Sequence, residues 1–182
     1  MKGAIFTATI AALLFAGCGG QEQAEATAPA PTTQLSAEAD ADYGAKGALA
    51  NDTELSLEQM LTYAIQDEHL AEAEYLDVLA RHGDIRPFSN IVQSERRHVE
   101  ALETLFDQFG YEVPKNRGAQ YVLPTETVDE ALEACVEGEK HNIEMYRVFL
   151  EREVPADVAE VFASLKEASE NHLETFRFHL ER

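Results

Sequence analysis

Residues 94–98, Ser-Glu-Arg-Arg-His, place a carboxylate and an imidazole at a spacing that suits chemistry. Glu95 and His98 are three residues apart, so on a helix they project from the same face. Apolar residues continue that face on both sides of the pair: Ile91, Leu102, Leu105 and Phe109. Because an ionised carboxylate is very costly to bury alone, the pattern indicates either a wetter face than the sequence suggests or a positive charge packed against it.

Four amphipathic helices are predicted from apolar residues that recur at helical spacing. They cover about residues 56–80, 88–109, 128–153 and 156–180, and Ser56 and Thr127 begin capping-box patterns. The first two helices are joined by a short connection, which favours antiparallel packing. Residues 110–125 could extend roughly 50 Å, enough to cross a helix of about 33 Å. The sequence therefore predicts an all-α, antiparallel four-helix bundle with one long crossover between the second and third helices, the connectivity of a ferritin-like bundle.

Each predicted apolar stripe contains one polar break, and the four breaks can fall at one depth of the bundle. The side chains there are three carboxylates and two imidazoles: Glu68, Glu95, His98, Glu139 and His172. Oxygen and nitrogen donors of this kind suit iron, manganese or zinc. Three carboxylates are hard to hold together in a core without a cation. The five residues are therefore the predicted metal ligands.

Other polar residues have both a functional and a structural interpretation. Tyr75 and Tyr146 each follow a predicted carboxylate ligand by seven residues; they are either core residues or, as we expect, residues whose hydroxyls lie near the carboxylate ligands. Glu72, one turn from Glu68, is either an additional ligand or a solvated side chain. Cys135 is interpreted as a small core residue. The remaining histidines are predicted to lie at the surface or at helix ends: His69, His82, His141 and His179.

Taken together, these motifs resemble the rubrerythrin branch of the ferritin-like superfamily over about residues 56–180. The resemblance is carried by residues 94–98, by Glu-Gly-Glu-Lys-His-Asn-Ile-Glu-Met-Tyr at 137–146 and by Val-Phe-Ala-Ser at 161–164 before His172. Residues 87–98 resemble more closely an uncharacterised ferritin-like family of bacterial and archaeal domains. The resemblance implies that the five predicted ligands match those of a di-iron site.

Two positions depart from the rubrerythrin pattern. Ser169 stands where the fourth helix normally has a glutamate, and Asn142 stands where the third helix often has one. Both are predicted to lie beside the metal ligands without binding the metal. The site is therefore predicted to be mono- or dinuclear, with a weaker second metal, and a metal-free hydrogen-bonded relic stays open. The chain lacks the four-cysteine iron domain of complete rubrerythrins, so a redox reaction would need an external electron donor. Ferritin-like bundles also commonly form homodimers.

The start of the chain resembles a bacterial lipoprotein signal. Lys2 precedes a short apolar run at 4–16, and small residues lead to Cys18. We predict a signal peptide at 1–17, a disordered linker at 18–52 beginning with lipid-modified Cys18, and the bundle at 53–182. In a host with two membranes, the resemblance to known sorting signals implies from Gly19 that the lipid anchors the chain in the outer membrane; otherwise the anchor lies at the cell surface. The alternative is an ordinary secretory signal with an incidental cysteine.

The formal net charge of the 182-residue chain is −20, which argues against nucleic acid or anionic lipid as a direct partner. These observations predict a transition-metal-binding domain, with iron preferred, that oxidises ferrous iron with oxygen or peroxide at the cell envelope. One alternative is a module that sequesters or senses metal without turnover. The other is a structural or interaction bundle that has lost a full di-metal site.

Overall fold

The computed structural model of the protein describes residues 42–51 and 54–182. It contains five α-helices and one short 3₁₀ helix at Gly118–Gln120. The α-helices are α1 (Gly44–Ala50), α2 (Leu57–His82), α3 (Phe88–Phe109), α4 (Val128–Leu150) and α5 (Ala156–Leu180). Over these described ranges there is no β-strand, so the predicted all-α class is confirmed there.

The N-terminal predictions lie mostly outside the described residues. These are the signal peptide at 1–17, the lipid-modified Cys18 and the linker as far as residue 41. Of the helices that the structure describes, none combines the length and the apolar character that crossing a bilayer requires.

Local signals in the sequence set the helix boundaries. Ser56 and Thr127 accept hydrogen bonds from the backbone N–H groups of Gln59 and Glu130, whose side chains accept in return, so both predicted capping boxes are confirmed. Gly110 ends α3 in the left-handed region, with φ of 70°. The third predicted helix is shorter than expected, because α4 ends at Leu150 rather than at 153.

Two apolar clusters fill the two ends of the bundle and show the direction of each helix. One cluster takes residues 60–65 of α2, 99–106 of α3, 145–149 of α4 and 158–165 of α5. The other takes residues 75–78 of α2, 88–92 of α3, 131–136 of α4 and Phe176 of α5. The first half of α2 therefore meets the second halves of α3 and α4. Hence α2 runs antiparallel to both, while α3 and α4 run parallel, as a crossover along the bundle requires.

Helix α1 lies inside the range predicted to be a disordered linker, and that prediction is wrong for residues 42–51. Small residues allow this segment to pack closely on α2, where Ala45 is 1% exposed. The Ala45 N–H donates to Asp67 Oδ1 at 2.7 Å, and the Tyr43 ring stacks on Tyr121 with centroids 4.0 Å apart. The linker prediction relied on the scarcity of large apolar residues, but alanine and glycine bury this helix through close backbone approach.

The crossover between α3 and α4 passes directly over the backbone of α2. At Gly118 the two chains approach so closely that a Cβ atom there would lie 2.6 Å from the carbonyl carbon of His69 and 2.9 Å from the amide nitrogen of Leu70. Both atoms belong to the backbone of a continuous helix and cannot move aside. Only glycine therefore fits where the crossover meets the middle of α2.

We expect Gly118→Ala to lower the free energy of unfolding by about 2 kcal/mol, because the added methyl group overpacks a rigid contact. Urea unfolding followed by circular dichroism would measure the change. Gly138→Ala in α4 is the matched control, since a Cβ there meets nothing nearer than Glu74 Oε2 at 4.0 Å. That control should gain about 1 kcal/mol from helix propensity. Equal losses in the two variants would contradict the close-approach argument.

Candidate metal centre

A buried polar layer separates the two apolar clusters. Every one of its residues is less than a tenth exposed, although most are charged or strongly polar: Glu68, Glu95, His98, Glu139, Asn142, Ser169 and His172. Helix α2 contributes one of them and α3, α4 and α5 contribute two each. The structure thus brings all five predicted ligands together in the middle of the bundle, where the polar breaks in the four stripes meet.

Glu68, Glu95 and His98 form the first group of ligand atoms. His98 Nδ1 lies 3.0 Å from Glu68 Oε2 and 2.9 Å from Glu95 Oε2. On the other side of the ring, His98 Nε2 lies 3.2 Å from Ser94 Oγ. If Nε2 carries the proton and donates to Ser94, Nδ1 is left with a free lone pair directed at the two carboxylates. That tautomer is the one a metal at Nδ1 requires.

Glu95, Glu139 and His172 form the second group. His172 Nδ1 lies 3.0 Å from Glu95 Oε1 and 3.3 Å from Glu139 Oε1. In each of the two groups, the ligand atoms lie within 4.8 Å of one another, so that each could hold a metal ion. Glu95 belongs to both, with one oxygen facing each histidine. Glu95 could therefore supply a ligand atom to either group, and the donors are the oxygen and nitrogen atoms that iron, manganese and zinc accept.

The contact between Glu95 and His172 is close but poorly aligned for a hydrogen bond. Glu95 Oε1 and His172 Nδ1 are fully buried, yet within the described part of the chain neither has a hydrogen-bond partner. Their separation of 3.0 Å is short enough for a hydrogen bond. The bond is therefore prevented by the orientation of the imidazole ring. Buried polar atoms without a partner are rare and costly. An ion bound between these two atoms would satisfy both of them.

Two tyrosines hold the outer carboxylates, as the sequence predicted. The Tyr75 hydroxyl donates to Glu139 Oε1 at 2.6 Å, and the Tyr146 hydroxyl donates to Glu68 Oε1 at 2.7 Å. Both tyrosines are almost completely buried, at 2% and 0% exposed. Each hydroxyl therefore fixes the rotation of one carboxylate, which is the usual role of residues that surround a metal ligand.

Asn142 and Ser169 form a hydrogen-bonded bridge where a rubrerythrin-like site would have more carboxylates. Ser169 Oγ donates to Asn142 Oδ1 at 2.8 Å. The Asn142 amide donates to Asp67 Oδ2 at 2.7 Å and to Glu68 Oε1 at 3.2 Å. Asn142 thus contacts the Glu68 carboxylate directly, and Ser169 contacts it only through Asn142. Neither residue adds a negative charge. The centre has three buried carboxylates in its two ligand groups rather than four or five.

Burial and opposite charge together set the pKa values in this layer. Burial disfavours the charged form of His98, but the Glu68 and Glu95 carboxylates outweigh it and raise the pKa of His98 to about 10. The same balance with Glu139 and Glu95 raises the pKa of His172 to about 9. Glu95 lies between both imidazoles, and its pKa falls to about 2 despite burial. Without metal, protons on the two imidazoles compensate part of the carboxylate charge.

Several residues lie differently from expectation or were missed. Glu72 is not a ligand, because its Oε1 accepts from Arg96 Nε at 2.7 Å at the surface. His69 was expected at the surface but is 9% exposed, and its Nδ1 contacts the Asn116 amide of the crossover at 3.0 Å.

Asp67 was not predicted to take part, although it links α1 to Asn142. Since Asp67 directly precedes Glu68, helical spacing gave no sign that both would point towards the same neighbours.

The fold and the site define a class: an all-helical bundle whose buried glutamate and histidine clusters could hold a metal ion. Within that class, the chain belongs to the family described as uncharacterized protein domain DUF2202, whose sequence profile matches residues 58–182. The predicted link to an uncharacterised helical family is thereby confirmed. No curated protein matches the chain.

One solved structure with the same fold is that of the hypothetical protein MJ0754 from Methanococcus jannaschii DSM 2661. It is similar with a TM-score of 0.63 and 20% sequence identity, over 71% of this chain and 83% of that chain. At this identity the likeness concerns the fold alone.

We expect the metal-free protein to lose stability as the pH rises from about 6.5 towards 10. The folded-state pKa values of His98 and His172, about 10 and about 9, lie above the ordinary value of 6.5. Their stabilising contribution is therefore complete below pH 6.5 and disappears as each imidazolium loses its proton. The loss should be on the order of a few kcal/mol. Thermal unfolding in the presence of a chelator, at a series of pH values, would measure it.

The control for this experiment is the double variant His98→Gln and His172→Gln, which should show a flatter dependence over the same interval. Zinc added to the unsubstituted protein should raise Tm more at pH 8 than at pH 6, because a metal needs the unprotonated nitrogen atoms. A Tm that increases with pH in chelator would contradict the assignment of charged imidazoles.

Proposed function

We propose that this chain is a ferritin-like domain that binds a transition metal, iron in the first place, and uses it to oxidise ferrous iron with oxygen or peroxide. One observation carries the proposal: Glu95 is shared by two buried ligand groups, each completed by one histidine and one further carboxylate. Surface clusters of acidic residues are common, but a carboxylate shared by two imidazoles in the middle of a core is a costly arrangement that bound metal would compensate.

The arrangement of the helices supports the ferritin-like part of the proposal. Helices α3 and α4 run parallel and are joined by the long crossover, while α2 and α5 run the opposite way. Such a bundle with one long connection is the ferritin-like topology, and its di-iron members place ligands on all four facing helices. The DUF2202 family also lies within the ferritin-like superfamily.

The charge of the centre bears on the number of metal ions. Two divalent ions carry four positive charges, whereas Glu68, Glu95 and Glu139 supply three negative ones. The first ion is therefore bound more tightly, and the second needs an added hydroxide or outside anion to balance its charge. We propose a centre that is mononuclear at low metal concentration and dinuclear when metal is abundant.

Bound iron supplies the exchange of electrons with oxygen or peroxide; the protein supplies the surroundings. The Tyr75 and Tyr146 hydroxyls keep the outer carboxylates in fixed rotation. The two apolar clusters above and below the layer limit the entry of water. Glu95, with its pKa lowered to about 2, stays ionised at every ordinary pH. The site is thus organised before metal arrives, and an external electron donor would complete a catalytic cycle.

A second candidate function is sequestration or sensing of metal without turnover. The hydrogen bonds among Ser169, Asn142 and Glu68 favour it, because neutral groups hold the positions that additional carboxylates occupy in a rubrerythrin-like site. A centre with fewer anionic ligands stabilises ferric iron less well, and redox cycling depends on that stabilisation. The loss of turnover with retained binding would distinguish this function from the first.

The proposed location is the cell envelope, with the domain tethered through a lipid on Cys18 to the outer membrane or cell surface. This part of the proposal depends on the sequence pattern at the start of the chain. A membrane-bound domain of this kind would meet incoming iron and peroxide before they reach the cell interior. Association as a homodimer is compatible with the same arrangement.

We expect Glu95→Gln to abolish stoichiometric metal binding, because the shared carboxylate belongs to both groups. Metal content would be measured on full-length protein after anaerobic loading with ferrous iron and removal of free metal. Glu72→Gln is the matched control, since Glu72 pairs with Arg96 outside the polar layer, and it should bind as much iron as the unsubstituted chain. Equal iron content in all three proteins would refute the metal centre.

Peroxide addition to the loaded protein, followed by absorbance, separates the two candidate functions. Oxidation of many equivalents of ferrous iron per chain would support turnover. Oxidation limited to the bound equivalents would support sequestration or sensing instead.

A further inference from the structure

A cavity of about 250 Å³ lies between α2 and α4 and reaches the polar layer from the side. Residues 121–125 of the crossover cover part of it, and Tyr43 and Lys46 from the α1 region line its edge. At its inner end it meets the side chains of Glu95, Glu139 and Tyr75. The cavity therefore leads from the protein exterior to the side of the candidate metal centre that Glu95 and Glu139 form.

The size of this cavity exceeds what a metal ion, oxygen or peroxide needs. A cavity of about 150 Å³ holds one benzene molecule, whereas a single water needs about a tenth of that volume. A volume of about 250 Å³ corresponds to a bicyclic ring or a chain of similar bulk. The space is thus matched to a small organic molecule that would lie against the metal centre.

The walls of the cavity favour an apolar ligand without negative charge. Leu70, Ala71, Val78 and Val122 supply apolar surface. Acidic residues outnumber the basic ones, Lys46 and His141, around the cavity, so a carboxylate-bearing ligand would be repelled; the acidic ones are Asp67, Glu74, Asp77, Glu95, Glu137 and Glu139. Glu95 is 2% exposed and its Oε1 lacks a hydrogen-bond partner among the described residues. In the metal-free protein, this buried oxygen could accept a hydrogen bond from a donor group on the ligand.

Small side chains on the facing helices create this space. Gly138 of α4 stands opposite Glu74 of α2, and a Cβ at Gly138 would point across the cavity to lie 4.0 Å from Glu74 Oε2. Glycine in the interior of a helix costs about 1 kcal/mol relative to alanine. Since a Cβ would meet no obstacle, close packing does not require this glycine. Its effect is to leave the cavity open beside Glu139.

We propose that this cavity is a binding site for a small, uncharged, largely apolar organic molecule of about ten non-hydrogen atoms. The ligand's role rests on the proposed function, because it would lie against the Glu95 and Glu139 side of the metal centre as an organic partner of that centre. Binding itself depends only on the cavity and occurs without metal. Ferrous iron and the oxidant would then not be the only molecules that the centre serves.

Indole is a suitable probe, because it has the required size and the chain contains no tryptophan to mask its fluorescence. Full-length, chelator-treated protein would be titrated into indole. We expect a saturable blue shift with one site per chain and a Kd of about 1 mM or tighter. Indole-2-carboxylate should bind at least about tenfold more weakly, since six acidic residues line the cavity.

Gly138→Leu, which fills the cavity, should weaken indole binding at least about tenfold, whereas Gly138→Ala should keep it within about threefold. Thermal unfolding would establish that both variants fold, as the improved helix propensity leads us to expect. No saturable shift with the unsubstituted protein, or equal binding by the leucine variant, would overturn the proposal. Metal content measured separately keeps the two proposals apart: indole binding without iron binding removes the metal centre only, and the reverse result removes the cavity site only.

Discussion

The central physical constraint in this protein is the presence of three carboxylates and two imidazoles in the middle of a four-helix core. Burying ionised groups costs several kcal/mol each unless opposite charges and hydrogen bonds compensate. Here, compensation comes from alternation: Glu95 lies between His98 and His172, and each histidine also faces a second carboxylate. Protons on the imidazoles, or cations in their place, therefore offset most of the carboxylate charge, and burial also raises the pKa of Glu68 to about 7.

The rest of the bundle keeps this layer in place. The two apolar clusters supply the hydrophobic stabilisation that offsets the cost of the polar layer, and they do so at both ends of the same four helices. Tyr75 belongs to one cluster and Tyr146 to the other, so the hydroxyls that orient Glu139 and Glu68 are carried by rings packed in apolar surroundings. Packing and ligand orientation are therefore provided by the same side chains.

Much of this architecture could be predicted from the sequence, because helical periodicity shows both the apolar stripes and the single polar break in each. Glu68, Glu95, His98, Glu139 and His172 were found in this way, and the structure brings them together. Helix α1 could not be predicted from helical periodicity. Its burial depends on glycine and alanine residues that fit against a surface formed by other elements. His69 was assigned to the surface because nothing in its own helix indicates that the distant Asn116 covers it.

Hydrogen bonds that connect distant parts of the chain were also beyond sequence reasoning. The sequence placed Asn142 and Ser169 near the ligands, but their bond to each other depends on the exact rotation of α4 against α5. Asp67 was overlooked for a related reason: one of its oxygens faces α1 and the other faces α4. A side chain that bonds to two neighbouring elements cannot be recognised from the spacing of apolar residues, because that spacing identifies only one face of one helix.

The contact between Ala45 and Asp67 also determines where the folded unit begins. A boundary drawn at residue 53, where the composition changes, would remove the backbone N–H that holds Asp67 Oδ1. Asp67 would then retain only its bond from Asn142, the same amide that steadies Glu68. The segment at 42–51 is thus an integral wall of the domain, and shortening the chain past it would loosen a ligand more than 15 residues further along.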